Sequence, residues 1–203
     1  MEIAILARHG ESELSVVGRT NGDPGLPFGL TEAGRRQALR LGELLASERL
    51  DLCVVTEFPR SRETADLALG GREVPRLVLP ELNDISFGVF EGLPLADYRR
   101  WARAHGPEEP APGGGESRAA IASRYADGYR TILARPEQQI LVVAHGLPIR
   151  YLLLAVEGRD PAPAVEQVPY AEPIRIDSRD LAGAVERLEA WAKHPTWGRS
   201  EEP

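Results

Sequence analysis

Two short stretches bring together residue types that could do chemistry. In "IAILARHGESE", Ile3–Glu13, an apolar run ends abruptly in Arg8, His9 and Gly10. In "QILVVAHGLP", Gln139–Pro148, a second apolar run ends in His145 and Gly146. Ligands of open α/β sheets bind beyond the carboxyl ends of parallel strands, so two histidines that each end a strand share an address. Glycine after each lets the backbone turn and approach a ligand closely. Either histidine alone reads as a surface turn; the pair reads as one site. Arg8, and Arg60 at the start of a later helix, can reach the same sheet end, and a pair of guanidinium forks suits an oxyanion with several oxygens, phosphate above all.

Other chemistries fit less well. The chain has four histidines, His9, His105, His145 and His194, and no His-x-x-x-His or Cys-x-x-Cys spacing that would hold a metal. A Gly-x-x-x-x-Gly-Lys phosphate loop and a Gly-x-Ser-x-Gly nucleophile elbow are both missing from the sequence. What remains is histidine itself as the nucleophile, with no metal and no cofactor.

The elements that must position these residues are legible as an alternation of branched apolar runs with amphipathic stretches, the pattern of βαβ units. Strands are expected at Ile3–Ala7, "LCVVT", "RLVLPEL", "ILVVA" and, on an edge, "EPIRI". Helices are expected from Thr31 as N-cap to about Ser47, from Pro59 through "RSRETADLAL", near Leu95–Ala104, from Ser117, after Gly146, and from a cap at Asp177 or Ser178. The expected fold is α/β: one domain over 1–195, a three-layer α/β/α sandwich with a mainly parallel sheet. The stretch 85–116 is expected to form a small lid-like excursion over the active site, and 196–203 a flexible tail.

Composition narrows the partners. With 203 residues, 42% hydrophobic and 27% charged, the chain has the profile of a soluble globular domain. A formal charge of -7 argues against a nucleic-acid surface, which needs a dense basic face. Of 24 basic residues only Lys193 is a lysine, so almost every cation is a guanidinium. A lone cysteine, Cys53, sits in an apolar run, and no run approaches membrane-spanning length. A cytoplasmic protein with a small-molecule partner and no membrane is expected; a homodimer is compatible with the sequence.

Beyond these readings, five blocks in order resemble one family. "ARHGESELSVVGRTNGDPGLPFGLTEAGRRQA", "PRSRETA", "LNDISFGVFEG", "PGGGES" and "VVAHG" look like the blocks of the histidine phosphatase superfamily, which includes phosphoglycerate mutases and many phosphatases, and they cover about Ile3 to Arg150. The resemblance makes His9 the residue that takes the phosphoryl group. It makes Arg8, Arg60 and His145 the holders of the phosphoryl oxygens, and Asp84 the proton donor, with Glu81 as the alternative acid. Gly10, Ser15, Asn21, Gly22 and Gly146 fall where the family contacts substrate, Ser15 replacing the more usual asparagine. Mutases of the family carry a longer insertion with lysine and paired arginines after the acid. Here that region offers Arg99, Arg100 and Arg103 but no lysine, which favours a phosphomonoester hydrolase acting on a small metabolite over a mutase. A noncatalytic phospho-ligand binder is the alternative from another class. Glu11 is expected to orient local groups and Glu13 to face solvent.

Overall fold

The computed structural model describes residues 1–198. Five strands form one sheet: β1 (Ile3–Arg8), β2 (Leu52–Val55), β3 (Arg76–Val78), β4 (Gln139–Ala144) and β5 (Ile174–Asp177), in the order β3-β2-β4-β1-β5. The first four run parallel, and β5 pairs antiparallel with β1 at the edge. β4 lies between β1 and β2, so the chain returns to the sheet's centre after leaving it. Residues 4–8 of β1 and 140–144 of β4 are all buried, the signature of parallel strands covered on both faces.

The covering helices explain the burial. On one face Ile5, Ala7, Cys53 and Val143 pack against α2 (Glu32–Leu44) and α3 (Pro59–Leu69). On the other, Leu6, Val54 and Val142 pack against α5 (Arg118–Leu133), α6 (Gly146–Val156) and α7 (Ser178–Lys193). The helix starts follow side-chain capping: Thr31, Ser117 and Asp177 each accept from a backbone N–H one turn on. The three-layer α/β/α arrangement is therefore present.

Two local differences from the expected elements stand out. The Gly- and Pro-rich segment after β1, where the sequence reading places no helix, contains a short one, α1 (Glu13–Val16), closed by a Ser12–Ser15 capping box. "RLVLPEL" is not one strand: β3 stops at Val78 and Pro80–Leu82 form a 3-10 turn, because Pro80 has no N–H to give a ladder. At the start of the tail, Trp191 Nε1 donates to Thr196 O at 2.8 Å, Trp197 Nε1 to His105 O at 2.9 Å, and Gly198 N to Pro161 O at 2.8 Å. Its remainder, 199–203, lies outside the described residues.

The stretch 85–116 carries α4 (Leu95–Ala104) and packs inward rather than trailing over the surface. Its ends are tied by Glu116 N donating to Ser86 O at 3.0 Å. Tyr98 is buried edge-on against Phe87 at 4.8 Å between ring centroids and stacked on Trp101 at 5.9 Å, which anchors α4 by aromatic packing. Among the described residues no helix is long and apolar enough to cross a membrane.

Candidate active site

A pocket of about 340 Å³ opens where β1, β2 and β4 end, lined by Arg8, His9, Arg60 and Asp84, with α4 and the 163–170 segment forming its far walls. His9 Nδ1 lies 2.7 Å from Gly10 O. A carbonyl oxygen only accepts, so the Nδ1 proton is held there and Nε2 carries the free lone pair. Arg60 Nε confirms that assignment by donating to His9 Nε2 at 3.2 Å. Burial, then the positive charge of Arg60 and Arg8, lowers the His9 pKa well below 6.5, so the ring is neutral at physiological pH.

Arg60 ties the site together. It stands at the second position of α3, 3% exposed, because Pro59 starts that helix directly after β2. Its NH2 donates to Asn21 O at 3.1 Å, to Asp84 Oδ2 at 3.2 Å and to His145 Nδ1 at 3.1 Å, and the guanidinium lies 4.1 Å above the Phe58 ring. Burial lowers its pKa to about 10, which leaves it a cation at neutral pH. Asp84 Oδ1 accepts from Ile85 N at 3.1 Å. Burial raises the Asp84 pKa even though Arg60, Arg8 and Arg124 pull the other way.

His145 follows β4 as expected and its ring is 5.3 Å from that of His9. It is fully buried and both ring nitrogens are engaged. Nδ1 accepts from Arg60, which places the proton on Nε2, where Thr56 Oγ1 accepts it at 2.9 Å. His145 thus reaches the pocket through the Arg60 guanidinium. Burial first, then Arg60, His9 and Arg8, lowers its pKa well below 6.5. Arg8 NH1 donates to Val168 O at 2.8 Å, and its guanidinium lies 3.9 Å from the centroid of the Tyr170 ring.

The glycines have unequal reasons. A Cβ on Gly10 would sit 2.4 Å from Gly34 O on α2, a backbone atom that cannot swing aside, so only glycine fits. Gly10 N donates to Thr64 Oγ1 at 2.9 Å, and Thr64 Oγ1 donates to Arg60 O at 2.7 Å, locking the His9 loop to α3. Gly10→Ala is accordingly expected to destabilise by about 1–3 kcal/mol and to displace His9; urea unfolding and kcat measured together check it, and wild-type values for both would refute the clash. A Cβ on Gly22 would lie 2.1 Å from Ile85 O, whereas one on Gly146 would meet Arg8 Nε at an ordinary 3.5 Å.

Asp84 faces the pocket and Glu81 does not line it; Glu81 sits in the 3-10 turn beneath Gly128 on α5, its Oε2 without a hydrogen-bond partner. Ser15 and Asn21 both line the pocket, but the Ser15 hydroxyl is occupied, donating to Ser12 O at 2.9 Å. With its amide oxygen facing Arg60, Asn21 accepts from NH1 at 3.0 Å and its nitrogen donates to Asp23 O at 3.1 Å. Glu11 Oε1 accepts from Thr31 Oγ1 at 2.7 Å, steadying the α2 cap, and Glu13 is exposed. Sequence reasoning missed Thr64, Glu91 and Tyr170. Thr64 was findable, one helical turn after Arg60. Glu91, which accepts from Gly22 N at 2.9 Å and Phe87 N at 2.8 Å, and Tyr170, in an irregular connection, carry no spacing signal.

Comparison with known proteins places the chain in a family. An adenosylcobalamin/alpha-ribazole phosphatase of Salmonella typhimurium is 45% identical over 86 residues, 42% of this chain and 42% of that one, so the match spans under half of either. A 2,3-bisphosphoglycerate-dependent phosphoglycerate mutase of Methylorubrum extorquens is 34% identical over 174 residues, 77% of this chain and 79% of the mutase. The crystal structure of the alpha-ribazole phosphatase from Shigella flexneri superposes with a TM-score of 0.73 at 28% identity, covering 86% of this chain and 90% of that one. With residues 4–190 matching the family throughout, the chain belongs to the histidine phosphatase superfamily (branch 1).

Proposed function

We propose that this protein hydrolyses small phosphomonoesters through a phosphohistidine on His9. The observation that carries the reading is the neutral His9 ring, its Nδ1 proton held by Gly10 O and its Nε2 lone pair beside Arg60. In the first step Nε2 attacks phosphorus in line, the bond to the ester oxygen breaks, and Asp84 gives its proton to the departing alkoxide. In the second, carboxylate Asp84 takes a proton from water, whose oxygen attacks phosphorus as the P–N bond breaks and phosphate leaves. Arg8 and Arg60 stabilise the equatorial oxygens, the main term in phosphoryl transfer. His145, through its Nδ1 acceptor, keeps Arg60 aimed at those oxygens.

Support for hydrolysis over mutase chemistry comes from the excursion between Asp84 and α5: it contains no lysine and is anchored by its own aromatic residues. We read that excursion as the cover of the site, since Leu95, Tyr98 and Arg99 of α4 line the pocket. A cytoplasmic setting goes with this reading, supported by the single, buried Cys53. The test is release of phosphate from a chromogenic aryl phosphate with chelator present; no turnover by the folded protein would refute it. The mutase reading, favoured by the Methylorubrum relative, predicts that phosphoglycerate isomerises faster than phosphate appears.

The pH profile follows from the two shifts. Because His9 is neutral from well below 6.5 upward, lowering pH through 6.5 does not remove the nucleophile. Because Asp84 holds its proton above the usual carboxylate range, the acid form grows as pH falls. With an alkyl phosphate, kcat/KM is expected to rise as pH is lowered from 9 to 6 and to show no His9 inflection near 6.5; a collapse below 6.5 that persists in Asp84→Asn would contradict it.

A further inference from the structure

The pocket holds more positive charge than one phosphoryl group uses. Arg8 and Arg60 face the His9 end. The same pocket is also lined by Arg99, from the middle of α4, and Arg118, the first residue of α5. Arg118 is 6% exposed, and its Nε is buried without a partner. Its NH1 reaches only Tyr151 OH at 3.3 Å, and its guanidinium stands 5.2 Å from the Tyr98 ring.

The carboxylates that line the same pocket are engaged elsewhere, Asp84 with Arg60 and Glu166 with Arg150. Among the described residues Arg99 and Arg118 form no ion pair, while neighbouring Arg100 pairs with Asp97 and Arg124 with Glu116. Burying an uncompensated cation is costly. The cost is compounded because Arg118 sits at the positive end of the α5 dipole, whose first turn holds no acid. Arg99 is crowded by like charge: burial, then the charges of Arg118, Arg103 and Arg8, lowers its pKa, whereas at Arg118 burial is outweighed by Tyr151 and Tyr98, which raise its pKa. Tyr151 OH gives Arg118 one hydrogen bond and Tyr98 a ring face, but neither carries a charge that would neutralise the guanidinium. A fold tolerates such a defect where the site uses it.

We propose that Arg118 and Arg99 form a second anion subsite, and that the substrates are phosphomonoesters whose leaving group carries a further anionic group, a carboxylate or a second phosphate. This rests on the reading of the His9 end as the phosphoryl site. Ile85, Phe87, Leu95 and Leu147 add apolar surface to the same lining. The expected substrate therefore carries its two anions on a short linker that this surface can cover.

The experiment separates this from the hydrolase reading by measuring binding rather than turnover. Calorimetry compares ethylphosphonate, 3-phosphonopropionate and propane-1,3-diphosphonate on the wild-type chain, Arg118→Met and Arg99→Ala. Wild type is expected to bind one or both doubly anionic ligands about 10- to 100-fold more tightly than ethylphosphonate, and whichever gains identifies the second group. In Arg118→Met and Arg99→Ala that preference falls towards unity. Arg118→Met should also melt at or above the wild-type temperature, since it removes an unpaired buried charge. Equal affinity for all three ligands in the wild type, or a preference that survives in both variants, would overturn the subsite. A protein that shows the preference but releases no phosphate from any ester keeps the subsite and loses the hydrolase reading.

Discussion

His9→Ala is expected to lower kcat on an aryl phosphate by about 10,000-fold or more, while thermal stability stays within a few degrees of wild type. The size follows from the mechanism: without Nε2 there is no covalent intermediate, and what survives is positioning of ester and water by Arg8 and Arg60. Stability is spared because His9 contributes to folding mainly through its bond to Gly10 O, while the loop is held independently by Gly10 N on Thr64. Rapid acid quench of the wild type with labelled substrate should trap one phosphoryl group per chain, labile in acid and stable in base, and none in His9→Ala. Full activity in that variant would remove His9 from the mechanism.

The second large effect is at Asp84, and its signature is dependence on the leaving group. Asp84→Asn keeps the shape and an oxygen for Ile85 N, but has no proton to give. For an alkyl phosphate, whose alkoxide is a poor leaving group, kcat/KM is expected to fall about 100- to 10,000-fold. For p-nitrophenyl phosphate, which leaves without a proton, the fall is expected to be near 10-fold. Glu81→Gln, off the pocket, should stay within 3-fold of wild type on both substrates. Equal losses of Asp84→Asn on the two esters would make Asp84 a structural partner of Arg60; a large loss in Glu81→Gln would transfer the role.

Much of this architecture was legible because strongly periodic segments and side-chain caps act locally. β1, β4, α3 and α4 fall within a residue of where branched runs, Pro59 and the Leu95 amphipathic face placed them. His9, Arg8 and Arg60 were readable for the same reason, each ending a strand or starting a helix. What escaped depends on contacts distant in sequence. β3 was overextended because the reading did not stop the strand before Pro80. The buried, doubly engaged state of His145 requires knowing that Arg60 and Thr56 close on it from both sides. Tyr170 reaches Arg8 only because Ala171 N bonds Arg8 O at 2.9 Å beside the edge of β1, a pairing no local pattern encodes.

The two connections that wall the pocket, 85–116 and 157–173, are fastened to the scaffold at different points. The first is pinned by Tyr98 and its aromatic neighbours, the second by Ala171 on β1 and by Gly198 on Pro161. The 157–173 connection touches Arg8 through Val168 O and the Tyr170 ring, whereas α4 is held by its own aromatic contacts. A lineage can therefore change side chains along α4 and reshape that wall while His9 and Arg60 keep their geometry, whereas a change in 157–173 is transmitted to Arg8.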